Sequence, residues 1–305
     1  MGSTGPSPDV LENHFKKTFE KDGPEGQMGT TVFKIMNHSV VANVASAIGF
    51  HGPTLAVSSA CSTSSQAMIL GWEHISTGLY DVVVCGGVDD LNYISTSVFD
   101  IVLAASRGYN DRPQIASRPF DSKRDGLVVS EGAAVVILES EAHLLARKCK
   151  PLAEMRGGCY HCNGSHMSHS DGNTMADVMK ISLERAKLNA SDIHYVNAPA
   201  TATAHGDPEE AQAVHTVFGS SVPVSSLKGH FGHSLAACGA LEAIASIKMM
   251  EKGVVINTRN LDSIDPACAG PLHVQELTSA KIDHVLGNNF AFGGMNTSLV
   301  LSKVR

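Results

Sequence analysis

A chain of 305 residues, 43% hydrophobic and 17% charged, is long enough to bury one large core or two packed ones and too apolar to be disordered. Its net charge of −7 sets nucleic acid aside as a main partner, because that contact is driven by Lys and Arg neutralising phosphates. No apolar run reaches about 18 residues, so no membrane span is predicted, and the opening MGSTGPSPDVLENHF has no signal-peptide core.

Residues 54–59 (TLAVSS) are a β-prone run and predict a strand. After the small residues at 60–63, residues 64–77 (SSQAMILGWEHIST) read as a buried helix entered at serine. The run at 81–87 (DVVVCGG) is a continuous apolar strand that stops on two glycines, and strand–helix–strand in this order predicts parallel pairing under helices. Two apolar runs about a glycine turn at 126–139 (GLVVSEGAAVVILE) predict a hairpin. A strand at 223–226 then leads into a polar loop with Lys228 and His233, followed by a small-residue helix over 235–250. Strands at 285–288 and 297–301 flank the glycine loop AFGG. Two like α/β halves, 1–148 and 149–305, join through the charged stretch LARKCKPL at 145–152. That plan predicts an internal duplication with its site where the halves meet, and the irregular spacing excludes a solenoid.

The seven cysteines, odd in number and scattered, suit a reducing cytoplasm better than a disulfide framework. Cys61 lies where a strand is predicted to turn into a helix, among residues too small to cover it. A helix N-terminus favours thiolate, and a sharp turn there exposes a nucleophile and frees backbone N–H groups for an oxyanion. The alternative is a packed thiol, since free Cys is among the most buried residue types. Cys85, inside VVVCGG, has that reading.

Four blocks decide between them: SSACSTSSQA, SRPFDSKRDGLVVSEGAAVVILE, LKGHFGHSLAACGALEA and NNFAFGGMN. In this order they resemble the β-ketoacyl-(acyl carrier protein) synthases, most closely the elongating synthase II type, from about residue 29 to the C-terminus. The resemblance implies a thiolase fold, a duplicated α/β/α/β/α sandwich, here with the N-terminal half truncated. It implies transfer of an acyl chain from acyl carrier protein to Cys61, then condensation with malonyl-carrier protein, with no cofactor and no metal. Partners would be the carrier protein and a second subunit, as homodimer or hetero-oligomer. By the same resemblance His233 donates to the malonyl thioester, Lys228 is the active-site lysine and Glu242 its partner carboxylate. Phe292 gates the site and lends its N–H to the oxyanion hole, with Phe290, Gly293 and Gly294 around the substrate. His233 precedes a helix, whose dipole is expected to keep the ring neutral. Without the resemblance, Lys228 and Glu242 read as a surface ion pair.

Three departures stand out. In VNAPATATAHGDPEE, Pro199 and Ala200 stand where the family pattern has histidine and glycine, and proline has no ring nitrogen and no N–H to donate. Losing one oxyanion donor costs about 3–4 kcal/mol, so condensation is expected to be impaired unless His205 enters the site. The opening resembles a segment that follows the family's first strands and helices, which predicts apolar surface or an open sheet edge on the first half. The absence of glycine between Val88 and Ser106, with Ala291 and Met295 flanking the gate, predicts a stiffer or reshaped gate.

Rival functions are a non-condensing acyl transferase and a chain-length-factor-like partner, and retention of Cys61 and His233 argues against the latter. Cys159, His161, Cys162, His166 and His169 have zinc-like ligand types, but the resemblance gives a polar loop there. Lys123, Arg124 and Arg118 are candidates for docking an acidic carrier protein, or an ordinary charged turn.

Overall fold

The structure, a computed structural model, describes residues 1–164 and 166–304. In chain order the helices are α1 (Pro8–Lys21), α2 (Val32–Ile35), α3 (Ser39–Ile48), α4 (Thr63–Ser76) and α5 (Tyr93–Ile101) in the first half. They continue as α6 (Glu141–Ala146), α7 (Gly172–Ala186), α8 (Gly206–Phe218), α9 (Lys228–Phe231) and α10 (Cys238–Lys252). The strands are β1 (Val82–Asp89), β2 (Gly132–Glu139), β3 (Glu154–Cys162), β4 (Tyr195–Asn197) and β5 (Pro223–Ser225). After them come β6 (Val254–Val255), β7 (Leu272–His273), β8 (Thr278–Ser279), β9 (His284–Ala291) and β10 (Met295–Ser302).

A six-stranded mixed sheet runs in the order β3-β10-β9-β4-β5-β7, antiparallel on the β3 side and parallel from β9 onward. β1 and β2 form a separate antiparallel pair. Helices α4 and α10 lie between this pair and the large sheet, and α7 and α8 cover the large sheet's other face. Sheet, helices, sheet, helices makes four of the five layers of the predicted α/β/α/β/α sandwich, with no outer helical layer over β1–β2 among the described residues. The outer face of β1–β2 is bare, with Val135 and Ile137 exposed. None of the helices among the described residues is long and apolar enough to cross a membrane.

The duplication is visible in the backbone at two equivalent turns. Ala60 (φ 49°) opens the three-residue turn Ala60–Ser62 before α4, and Leu235 (φ 50°) opens Leu235–Ala237 before α10. A left-handed conformation costs an L-residue about 1–2 kcal/mol, so both turns are held by their surroundings. The two helices then meet through small residues, with the Ala240 N–H donating to Ser64 Oγ at 3.0 Å.

The predicted helices at 64–77 and 235–250, and the strands at 81–87, 223–226, 285–288 and 297–301, all form with small changes of boundary. Three expectations fail. Residues 54–59 are extended but not a ladder strand: the Val57 N–H bonds Met1 O, and Gly2, not this run, bridges to Gly87. Residues 126–139 are not a hairpin, because only 132–139 is strand and its partner is β1. Leu127 and Val129 instead bridge outward, to Ala105 and His233. The strand–helix–strand unit is also not parallel, since β1 pairs only with the antiparallel β2 within its sheet. Cys85 is core, as predicted.

Glycine at 87 is a close-approach requirement: a Cβ there would sit 2.1 Å from Ala236 O, a backbone atom that cannot rotate away. Beside it, the Ala236 N–H donates to Asp89 Oδ2 at 2.8 Å. Gly87→Ala should therefore cost at least about 1–3 kcal/mol. Urea denaturation would show it as a lower midpoint at unchanged slope, and an unmoved midpoint would mean that this contact is slack.

Candidate active site

Local hydrogen bonds fix the turn that carries Cys61. Thr63 Oγ1 donates to Ala60 O at 2.8 Å and accepts from Ser59 N–H at 2.9 Å. Ser62 Oγ lies 3.0 Å from both Asn289 O and Met295 O, tying the turn to the ends of β9 and β10. Those ends meet at Phe292-Gly293-Gly294, where both glycines take positive φ and a Cβ on Gly294 would strike Asn163 Oδ1. Sequence in the turn and geometry in the loop thus converge on one point.

At that point Cys61 Sγ lies 3.0 Å from His233 Nε2, and on the other side of the ring Nδ1 lies 3.1 Å from Cys238 Sγ. Burial pushes the Cys61 thiol up to about 12, with Cys238 adding to the rise. The helix N-terminus is thus outweighed by desolvation, which corrects the expectation of a resting thiolate. Thiol and imidazole 3 Å apart form a nucleophile with its own base, so the proton leaves when attack occurs. His233 is held well below its ordinary value, first by burial and then by the Lys228 cation, and its ring is neutral.

Lys228 and Glu242 are not a surface pair. Both are buried, Nζ to Oε1 is 2.5 Å, and Asn289 Nδ2 donates to the other carboxylate oxygen at 2.6 Å. Asn289 Oδ1 in turn accepts from Ser65 Oγ. Burial alone would pull the lysine down, but the Glu242 carboxylate holds it above its ordinary value.

Cys61 and His233 share one cavity of about 90 Å³ with Pro199, Phe290, Phe292 and Gly294. Phe292 stands at its mouth, partly exposed and stacked on Phe99 with ring centroids 5.8 Å apart. Gly293 is not part of the wall, and its N–H donates to Met167 O at 2.7 Å. His205 is not brought in: it is exposed at the N-cap of α8, so it does not replace a histidine at position 199. Sequence reasoning missed Cys238, Asn289, Phe99, His169 and Glu210, all of which touch or line the site. Only the small-residue helix start hinted at Cys238.

One surface reading also changes. Arg118 is buried against Asp121 and Asp262, each at 2.9 Å, and Arg124 against Asp265 at 2.5 Å. They brace the two halves and leave only Lys123 exposed, so no three-residue basic patch exists there. Cys159 and Cys162 lie on β3 at odd spacing, which sends their sulfurs to opposite faces of the strand. Among the described residues no cluster of three or more His, Cys, Asp or Glu is arranged to hold a metal.

Comparison with known proteins agrees with this geometry. The family models described as beta-ketoacyl synthase, N-terminal domain, and beta-ketoacyl synthase, C-terminal domain, match residues 8–143 and 152–262. The chain is 35% identical over 287 residues to 3-oxoacyl-[acyl-carrier-protein] synthase 1 of Escherichia coli K12, covering 93% of this chain and 70% of that one. It is 37% identical over 271 residues to the tetracenomycin polyketide synthase ketoacyl synthase alpha subunit of Streptomyces glaucescens, covering 87% and 63%. A solved beta-ketoacyl synthase from Burkholderia phymatum superposes with a TM-score of 0.96 at 40% identity, over 100% of this chain and 74% of that one. A type II polyketide ketosynthase solved with its acyl-carrier protein gives 0.92 at 27% identity, over 100% and 78%.

Proposed function

Because this chain belongs to the β-ketoacyl synthase family of condensing enzymes, we propose that Cys61 accepts an acyl chain from acyl carrier protein and that the cavity condenses it with malonyl-carrier protein. The observation that carries this reading is the Cys61 Sγ to His233 Nε2 distance of 3.0 Å at a cavity gated by Phe292. Sγ attacks the acyl thioester carbonyl, its proton passes to Nε2, and the carrier thiolate leaves and is reprotonated. The backbone N–H groups of Cys61 and Phe292 are the proposed oxyanion donors. In the second step malonyl loses CO₂, and the bonding pair becomes an enolate that attacks the Cys61 thioester and frees its sulfur.

Condensation is the slower step in this reading, because buried Pro199 offers the enolate oxygen no donor. That same residue supports the second reading, an acyl transferase that does not condense. A partner subunit is supported by the bare outer face of β1–β2 and by exposed Ile101 and Leu103. Carrier protein and chain length factor are partners named for solved relatives and are carried here as proposals. Seven free thiols support a reducing, cytoplasmic setting.

Intact-mass measurement after incubation with acyl-carrier protein should show one acyl group, absent from Cys61→Ala. Adding malonyl-carrier protein should then yield a 3-oxoacyl product. An adduct without that product would select the transferase reading, and no adduct would sink both.

A further inference from the structure

Residues 236–240 read Ala-Ala-Cys-Gly-Ala, and the cysteine is the only one of the five whose side chain carries a hydrogen-bonding atom. The run is small because α10 starts there against α4: the Ala240 N–H reaches Ser64 Oγ at 3.0 Å, and a Cβ on Gly239 would strike Ser65 Oγ. Cys238, the first residue of α10, is fully buried in this crowd. Its sulfur lies against the back of the His233 ring, 3.1 Å from Nδ1, and Ser234 Oγ lies 3.5 Å from the same sulfur.

The backbone of His233 is already held, its N–H donating to Val128 O at 2.8 Å and its carbonyl accepting from the Ser130 N–H at 3.0 Å. Neither bond decides which ring nitrogen carries the proton, which depends on what faces each nitrogen. Nε2 faces Cys61 Sγ, Nδ1 faces Cys238 Sγ, and a thiol can donate or accept. Chemistry breaks the tie. Loading of Cys61 needs a lone pair on Nε2 to take the thiol proton, so the single proton of the neutral ring belongs on Nδ1, with the Cys238 sulfur as its acceptor.

We propose that Cys238 is a positioning residue, whose sulfur accepts the His233 Nδ1–H and so keeps the Nε2 lone pair aimed at the Cys61 thiol. This role rests on the acyl-loading step of the reading above. In that step the bond from Cys61 Sγ to the acyl carbon forms and the carbon–sulfur bond to the carrier breaks. The proton passes from Cys61 to Nε2 and on to the leaving carrier sulfur, while the Nδ1 proton stays in place against Cys238. A carboxylate behind the ring would fix the same tautomer but would also favour a charged imidazolium. A thiol fixes it without adding charge, in keeping with a ring held neutral by burial and Lys228. Cys238 keeps its own proton, because burial pushes the thiol up to about 11, with Lys228 working against that rise and Glu242 with it. Its S–H is then free to donate to Ser234 Oγ, and the three donations run in one direction, from Cys61 to His233 to Cys238 to Ser234.

The test reads the ring directly. Nitrogen-15 spectra of histidine-labelled protein, with H233N as the blank that assigns the signals, should place the proton on Nδ1 in the unaltered protein without substrate. C238A removes the acceptor, and a buried N–H without a partner is costly, so the proton should move to Nε2 and acyl loading of Cys61 should slow about 10–100-fold at unchanged carrier-protein KM. C238S keeps an acceptor and a donor, so the proton should stay on Nδ1 and loading should remain within about fivefold of the unaltered rate. A ring proton on Nε2 in the unaltered protein would overturn the proposal without any variant, even if C238A does not fold. C238A loading at the unaltered rate, or C238S as slow as C238A, would overturn it as well. An unaltered protein that carries the proton on Nδ1 yet takes no acyl group would overturn the loading reading, and this role with it.

Discussion

Glu242→Ala should cost the protein about 3–5 kcal/mol of stability, because it strands the Lys228 ammonium in the interior without its carboxylate. Lys228 is 1% exposed and Glu242 is 3% exposed, so no water replaces the lost partner. Asn289 loses an acceptor in the same step, and Ser65 is bonded to Asn289. The damage would therefore reach the small-residue contact between α4 and α10. Desolvation works against a buried pair as strongly as attraction works for it, and the double variant separates the two. K228M/E242L removes both charges at once and should recover most of the loss, whereas a pair that were net stabilising by itself would leave the double variant as weak as the single. Chemical denaturation of the unaltered protein, Glu242→Ala and K228M/E242L measures this. A loss below about 1 kcal/mol for Glu242→Ala would mean that water reaches the lysine. Function should suffer in K228M/E242L, because Lys228 helps keep His233 neutral.

What the sequence reveals about this site follows the range of the forces involved. The turn at Cys61 and the helix after it depend on neighbouring residues, Ala60, Ser62, Thr63 and the apolar faces of α4, so they are readable locally. The strand expected at 54–59 is not, because a strand exists only where a partner ladder does, and here Met1 and Gly2 occupy the neighbouring position. Arg118 and Arg124 look like a docking patch because their carboxylate partners Asp262 and Asp265 lie more than a hundred residues away. The direction of the Cys61 shift depends on a magnitude: a helix end contributes less than removal of water, and burial is a tertiary property. Glu209 and Glu210 are the sharpest case. Only the phase of α8, set by its packing on α7, decides which one is solvated and which one enters the wall.

Pro199→His should raise condensation by about 10²–10³, the worth of one added donor to a developing oxyanion, and should leave acyl loading of Cys61 unchanged. The position allows the experiment because residue 199 already forms the cavity wall with Cys61 and His233. Backbone loss is small: the preceding Ala198 N–H keeps its bond to Ser225 O at 2.9 Å, and proline gives up only its preset φ. Single-turnover formation of the 3-oxoacyl product from pre-acylated enzyme isolates the step. If Pro199→His raises the rate by less than about twofold, donors at this wall do not limit the reaction, and Pro199 has reshaped the cavity for a different acceptor.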